Sequence, residues 1–119
     1  MVLTAGSPLG LSDPGGPAGR LRELYRLLGR PHVLDILHAV CDSRAPLRFV
    51  EIQRRLQVSP NTLTDRLRDL VAAGLLTRSR HREIPPRVDY APTPEAEELR
   101  ALFDGLTSWS RRHPLTPVA

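Results

Sequence analysis

The segment FVEIQRRLQVSPNTLTDRLRDLVAAGL, residues 49–75, decides the fold of this chain. Its first part places apolar residues at Phe49, Ile52 and Leu56, which is the spacing of one helix face. After a short break, Ser59-Pro60 supplies an N-cap followed by a residue suited to the first helical position. The segment therefore predicts two helices joined by a tight turn.

The second of these helices is predicted to have one apolar face and one polar face. Leu63, Leu67, Leu70 and Val71 share a side at 100° per residue. Ala73-Gly74 is a typical C-terminal cap. We therefore expect the helix to pack through its leucines and to present its polar side to solvent.

A β-hairpin is predicted to follow, from about Leu75 to Ala91. Residues 75–82 alternate between apolar and polar, as in a strand. Ile84-Pro85-Pro86 cannot continue a paired strand and marks the turn. Residues 87–90 alternate again and form the returning strand.

Three further helices are predicted outside these elements, because apolar residues recur there at helical spacing. They run from about Arg20 to Leu28, from Pro31 to near Ser43, and from Thr93-Pro94 to a point before Pro114. The resulting order is four helices, a hairpin and a last helix. It describes a winged helix-turn-helix, a mainly α fold with a small β-hairpin (α+β).

The domain organisation is predicted from composition. Residues 1–19 are rich in Gly, Pro and Ser and are expected to form a flexible N-terminal arm. Residues 20–113 form the winged helix-turn-helix domain with flanking dimerisation helices, and residues 114–119 form a tail. A chain of 119 residues suits one compact domain.

Positive charge is concentrated in the middle of the chain. The whole chain carries +4, and every basic residue is Arg. Residues 48–87 contain nine Arg and four acids, a net +5 that leaves −1 for the remainder. This distribution is typical of a nucleic-acid-binding domain. A solvated charged surface is the alternative.

The compartment is predicted to be the cytoplasm, with no membrane partner. No apolar run is long enough to span a bilayer, and the N-terminus does not resemble a signal peptide. A single cysteine, Cys41, excludes an internal disulfide. Its place on the apolar stripe of the second predicted helix indicates a buried, unreactive thiol.

The polar side of the helix after Ser59 holds the candidate base-contacting residues. Asn pairs with adenine, Arg with guanine, and Asp accepts from cytosine, while a helix N-terminus favours phosphate. The predicted set is Ser59, Pro60, Asn61, Thr62, Thr64, Asp65 and Arg68. The alternative is a solvated surface on which Arg68 pairs with Asp65 or Asp69.

Arginines in and beside the hairpin are candidate contacts to the DNA backbone. Arg78, Arg80 and Arg82 alternate and should project from one side of the ribbon, where phosphates would balance their charge. Arg87 completes this set. The alternative is an edge strand protected by charge. Weaker backbone contacts are predicted for Arg48, Arg54 and Arg55, with solvation left equally open.

The outer helices are predicted to form a homodimer interface. Helix-turn-helix proteins commonly bind two half-sites as dimers. The candidate residues are Leu21, Leu24, Tyr25, Leu102, Phe103, Leu106 and Trp109. Packing of the domain core is the alternative for some of them.

No catalytic, metal or cofactor site is predicted. The chain shows no Gly-rich phosphate loop, nucleophile elbow or paired catalytic groups. His32, Asp35 and His38 recur at spacing three but lack further ligands. We therefore do not expect an enzyme.

The chain resembles the HxlR-type winged helix regulators in several segments. They are residues 48–52, 59–68, 70–76 and 84–90 followed by Thr93-Pro94, and the wing Pro-Pro-Arg-Val-x-Tyr is the most specific. The resemblance implies a homodimer that binds a pseudo-palindromic operator, with recognition helices in major grooves and wings on flanking DNA. It leaves a small-molecule effector, if the protein uses one, unidentified.

One feature of that family is not carried over, and one other function competes. Many members have a Cys-Pro pair where this chain has Gly19-Arg20, so thiol sensing is not expected. A winged helix can also serve as a protein-interaction module without sequence-specific DNA binding. The basic centre and the arginine wing favour the DNA-binding function.

Overall fold

A computed structural model describes residues 15–117. The chain divides into two compact units, one up to Leu34 and one from Asp35. The elements in chain order are α1 (Pro17–Leu28), α2 (Val33–Asp42), β1 (Leu47–Arg48), α3 (Phe49–Leu56), α4 (Pro60–Ala72), β2 (Leu76–His81), β3 (Arg87–Pro92), α5 (Pro94–Glu97) and α6 (Arg100–Arg112). The predicted mainly α fold with a small β-sheet is confirmed.

In the first unit, α1 begins three residues before its predicted start at Arg20. Pro17 occupies the first turn, where its fixed φ suits a helix and its missing N–H is not needed. Residues 17–19 of the predicted arm are therefore helical, and residues 1–14 lie outside the described chain. The helix ends at Gly29, whose N–H donates to the Tyr25 carbonyl at 2.9 Å.

The predicted start of α2 at Pro31 is wrong by two residues. His32 has a φ of 70°, in the left-handed region, so it cannot continue a right-handed helix. The chain turns there, and the Val33 N–H donates to the Arg30 carbonyl at 3.2 Å. From Ile36 onward, α2 buries Ile36, Leu37, Val40 and Cys41.

The helix-turn-helix of the second unit lies at the predicted positions. Gln57 ends α3 with a left-handed φ of 54°. The Ser59 side chain then caps α4 by accepting a hydrogen bond from the Thr62 N–H at 3.3 Å. Ile52 of α3 is fully buried, as is the leucine face of α4, at Leu63, Leu67 and Leu70.

Within the described chain the sheet has three antiparallel strands in the order β1-β3-β2. The predicted hairpin is β2 and β3. The additional strand β1 pairs Leu47 with Tyr90 and Arg48 with Asp89. It has only two residues, too few to show an alternating pattern. As a result β3 is the central strand, and Asp89 and Tyr90, which are paired on both edges, are its buried residues.

The register assigns the hairpin side chains to two sides. Directly paired residues point the same way, and neighbours along a strand alternate. Arg78 pairs with Tyr90, and Arg80 with Val88, so these four share the front side with the buried Leu76. The rear side carries Arg48, Ser79, His81, Arg87 and Asp89.

The single helix predicted after Thr93 consists of two helices. The predicted cap is confirmed, since the Thr93 side chain accepts from the Ala96 N–H at 3.2 Å. At Glu98 and Leu99 the backbone changes to bonds three residues apart, with the Leu99 N–H donating to the Ala96 carbonyl. This tightened turn separates α5 from α6.

Gly74 has a conformation that side chains disfavour. Its φ is +80°, and the Leu75 N–H beyond it donates to the Leu70 carbonyl at 3.0 Å, which closes the end of α4. No heavy atom lies within 4 Å of a Cβ built on Gly74. Only the backbone angle therefore opposes substitution.

We predict that Gly74→Ala lowers the free energy of unfolding by about 1–2 kcal/mol, because an L-residue is strained in the left-handed region. Gly74→Asn should lose less, since Asn tolerates this region better. Urea unfolding of the three proteins measures both differences. Equal stability of Gly74→Ala and the parent protein would show that the cap does not need glycine.

Candidate nucleic-acid interface

The polar side of α4 is exposed as predicted. Asn61, Thr64, Asp65 and Arg68 are all exposed and lie at spacings of three and four residues, so they form one continuous row. The opposite side of the helix is the buried leucine face. Burial of the leucines thus fixes which side chains α4 offers to a partner.

The first residues of the predicted α4 set mainly build the start of the helix. The Ser59 hydroxyl donates to Thr62 Oγ1 at 2.9 Å and accepts from the Thr62 backbone. Pro60 fills the first helical position and has no N–H to offer. The side chains left to project outward are those of Asn61 and of the row that follows it.

Ion pairs within α4 leave Arg68 largely available. Asp69 pairs with Arg66, at 2.7 Å, in a partly buried contact. Of the two partners that the alternative gave Arg68, Asp65 and Asp69, the ion pair forms with Asp65. Asp65 lies 3.8 Å from Arg68, and the two side chains are 61% and 74% exposed. Such a pair is weak, and a nucleic acid competes with it readily.

On the wing, Arg78 and Arg80 are exposed on the front side of β2. Neither has an ion-pair partner within residues 15–117. The ladder ends at the His81–Arg87 pair, so Arg82 lies beyond it in the exposed tip. The ladder therefore places only Arg78 and Arg80, and not Arg82, in the predicted single row.

Arg87 lies on the other side of the sheet, with a different set of partners. Its Nη1 is 3.6 Å from Glu83 Oε1, and its Nε is 3.4 Å from Asp89 Oδ1. Only 30% of its side chain is exposed. Arg87 therefore does not share the side of Arg78 and Arg80, and the geometry makes it a brace of the wing. Its contact with DNA stays a prediction.

Asp89 organises that brace, and the sequence analysis did not single it out. It is buried on the central strand, and its Oδ2 lies 2.9 Å from His81 Nε2 on β2. With Arg87 at its other oxygen, one carboxylate links both strands of the hairpin. The sequence did contain a signal for it: Asp89 is an acid in the middle of a predicted strand, and a carboxylate buried there needs a cationic or hydrogen-bonding partner.

Helix α4 and strand β2 meet in a cleft of about 550 Å³ on the front of the sheet. We call it the front cleft. Thr64 and Arg68 reach it from α4, Arg78 from β2 and Tyr90 from β3. Its full lining is Phe49, Thr64, Leu67, Arg68, Val71, Ala72, Arg78 and Tyr90.

Arg48 and Arg54 lie elsewhere. They line a separate rear cleft, formed by Ala45, Pro46, Arg48, Val50, Glu51, Arg54, Arg87 and Asp89. The Arg48 N–H donates to Glu51 Oε1 at 2.8 Å at the start of α3. Arg55 is exposed on α3. Arg48, Arg54 and Arg55, the three residues predicted to contact the DNA backbone, therefore do not line the front cleft.

The chain matches known proteins over most of this region. Residues 27–116 match the model of the HxlR-like helix-turn-helix family. The chain belongs to the HxlR-like family. It is 37% identical over 68 residues to an HTH-type transcriptional regulator of Methanothermobacter thermautotrophicus, a match covering 56% of this chain and 52% of that protein. The chain thus spans about half of that relative's length.

Two more comparisons give the same kind of protein. An HTH-type transcriptional regulator of Halalkalibacterium halodurans is 30% identical over 84 residues, covering 70% of this chain and 74% of that protein. The reduced form of the regulator YodB from Bacillus subtilis has a TM-score of 0.69 and 27% identity, covering 80% of this chain and 92% of its own. The family consists of transcriptional regulators rather than enzymes.

The predicted dimer residues of this HxlR-like chain fall into different environments. Phe103 is buried and stacks on His38, with ring centroids 4.9 Å apart, so its assignment to an interface is wrong. Leu102, Leu106 and Trp109 stay exposed, at 44%, 51% and 45%. In the first unit Tyr25 is 63% exposed, while Leu21 and Leu24 are half-buried.

Cys41 lies in the core and is not part of the interface. Its thiol donates to the Ala96 carbonyl at 3.6 Å. Burial, assisted by the nearby Glu97 carboxylate, raises the pKa of the Cys41 thiol, and Arg100 opposes this in part. Over residues 15–117, no group of three His, Cys, Asp or Glu is arranged to hold a metal ion, and no helix could cross a membrane.

We predict that Asp89→Asn lowers the free energy of unfolding by about 1–2 kcal/mol. His81 and Arg87 both lose the negative carboxylate that they contact, but they stay partly exposed to water, which limits the loss. Urea unfolding provides the measurement. The matched control is Asp65→Asn, whose exposed pair should change stability by less than about 0.5 kcal/mol. Equal effects of the two changes would contradict the role of Asp89.

We predict that iodoacetamide alkylates native Cys41 at least about tenfold more slowly than the urea-unfolded chain, because only the thiolate reacts. The raised pKa of the Cys41 thiol also makes the stability of the protein depend on pH. As pH rises past the ordinary thiol pKa, the unfolded chain ionises first and the free energy of unfolding falls. Mass spectrometry of quenched samples gives the rates, and equal rates would show that Cys41 is accessible.

Proposed function

We propose that this protein is a sequence-specific regulator that binds double-stranded DNA as a homodimer at a pseudo-palindromic operator. The observation that carries the proposal is the front cleft. There, Thr64 and Arg68 of the α4 row and Arg78 of β2 face the same space. The bases and the phosphate backbone of one duplex could contact α4 and β2 at the same time.

The row on α4 supplies the base contacts. Asn61 is suited to adenine, Arg68 to guanine and Asp65 to cytosine, each through the donor and acceptor pattern of the major groove. A good bidentate contact contributes about 1–3 kcal/mol of discrimination. The weak Arg68–Asp65 pair, at 3.8 Å, is exchanged for these contacts on binding.

The wing supplies affinity without sequence choice. Arg78 and Arg80 have no protein partner to give up in the described chain, so binding phosphate costs them little. Each phosphate contact releases counterions and makes affinity depend on salt. The role of the wing is therefore to hold α4 in register on the duplex.

The exposed stripe of α6 supplies the dimer contact. Leu102, Leu106 and Trp109 recur at i, i+4 and i+7, and Gly105 lies between them with open space around its Cα. A glycine there allows a second helix to approach closely. A two-fold dimer would present two α4 helices to successive major grooves. The cytoplasmic localisation stays a prediction.

The test of DNA recognition is selection from a pool of randomised duplexes at two salt concentrations. We expect an inverted repeat with half-sites about one helical turn apart. Arg68→Ala should relax the consensus at one position per half-site. Arg78→Ala with Arg80→Ala should weaken all sequences alike and reduce the salt slope, by about one for each phosphate that the variant no longer binds.

The matched control for these changes is Arg111→Ala, an exposed arginine on the side of α6 away from the apolar stripe. It should leave both consensus and affinity unchanged. Failure to bind any duplex above background at low salt would contradict the proposal. The winged helix would then be a protein-interaction module, to be tested by capture of protein partners.

We predict that Leu106→Arg converts the dimer to monomer, because it places a charge in the apolar stripe. Analytical ultracentrifugation measures the change. Asp104→Arg is the control, since Asp104 is exposed on the side of α6 away from the apolar stripe, and the change should leave the dimer intact. A parent protein that sediments as a monomer at micromolar concentration would contradict the dimer.

A further inference from the structure

The front cleft has the dimensions and lining of a small-molecule site. Its volume of about 550 Å³ lies within the usual range for ligand clefts. Leu67 and Val71 of α4 and Phe49 of α3 give it an apolar wall. That wall is formed by regular helices, so the cleft is present without a ligand.

The polar groups of the cleft all favour an anion. Arg78 has no ion-pair partner in the described part of the chain, and the Tyr90 hydroxyl donates to no atom there although Tyr90 is only 8% exposed. Among residues 15–117, the one ion pair of Arg68 is its distant contact with Asp65. Arg78 and Tyr90 are directly paired across β2 and β3, so a guanidinium and a phenol hydroxyl line one side of the sheet and can each donate to a carboxylate oxygen.

Two further clefts among the described residues do not have this character. The rear cleft contains Glu51 and Asp89, and the cleft at the wing tip contains Glu83. Among residues 15–117 the lining of the front cleft includes no acid. An anion is therefore complemented by charge in the front cleft and opposed by a carboxylate in the others.

We propose that the front cleft binds a small aromatic carboxylate of one or two rings. The ring lies on Leu67, Val71 and Phe49, and the carboxylate accepts hydrogen bonds from Arg78 and the Tyr90 hydroxyl. The apolar wall excludes inorganic phosphate as the best occupant, because phosphate would leave that wall unfilled.

Such a ligand would act as an effector by competition. Arg78, which contacts DNA in the proposed function, is the same side chain that holds the carboxylate, and Arg68 lines the same cleft. One molecule in the cleft would neutralise Arg78 and separate the wing from the duplex. This regulatory effect rests on the proposed function, whereas binding of the carboxylate does not.

The first experiment is an NMR titration of the ¹⁵N-labelled full chain, without DNA, with 2-naphthoate as probe. The neutral isostere 2-naphthamide is titrated in parallel. We expect saturable shifts confined to amides around Thr64, Arg68, Arg78 and Tyr90, with naphthoate binding at least about tenfold tighter than naphthamide.

Variants assign the contacts. Arg78→Gln should weaken naphthoate about tenfold, Tyr90→Phe should weaken it by a smaller factor, and both should leave naphthamide unchanged. Arg80→Gln is the matched control, because Arg80 is exposed on the same strand but does not line the front cleft. It should bind naphthoate as the parent protein does.

Three results would overturn the proposal: no saturable shift, equal binding of naphthoate and naphthamide, or no effect of Arg78→Gln. A second arm adds naphthoate to the complex of protein and selected duplex. At a probe concentration about nine times its dissociation constant, competition raises the apparent dissociation constant for DNA about tenfold. Unchanged DNA affinity despite naphthoate binding would overturn the effector role alone, and a protein that binds naphthoate but no duplex would contradict only the proposed function.

Discussion

Burial of one leucine face of α4 is the constraint on which the interface depends. Leu63, Leu67 and Leu70 are at most 1% exposed, and α4 packs against β2. Burying a leucine side chain contributes about 1.5–3 kcal/mol, so rotation of the helix about its axis is strongly opposed. The polar row from Asn61 to Arg68 is therefore held facing one fixed direction. Its chemistry is set by side chains, but its position is set by the core.

The sheet adds a second constraint, which separates the arginines. Those on the front, Arg78 and Arg80, have no acid beside them and remain available to an anion. On the rear, the buried Asp89 holds His81 and Arg87 and thereby links the two strands of the wing. A basic protein can thus use its arginines in two ways: some stabilise the wing, and others are carried by it toward a partner. Overall charge does not distinguish the two groups.

Much of this could be predicted from the sequence, because the decisive signals are local. The spacing of leucines, the cap Ser59-Pro60 and the glycine after α4 depend only on neighbours along the chain. Strand β1 could not be predicted, since its two residues form a strand only through pairing with β3. The side of Arg87 depends on the same register. Phe103 belongs to an amphipathic stripe that does not say whether its own chain or a second copy covers it.

Arginine footprinting tests the central claim, that the front of α4 and β2 meets DNA. Every basic side chain here is an arginine, so phenylglyoxal reports on all 17 of them. With the selected duplex bound, we predict that Arg68, Arg78 and Arg80 react much more slowly, while Arg26 and Arg111 react as in the free protein. Protection of Arg48 and Arg54 with unchanged rates at Arg68 and Arg78 would contradict the account, because DNA would then occupy the rear of the sheet.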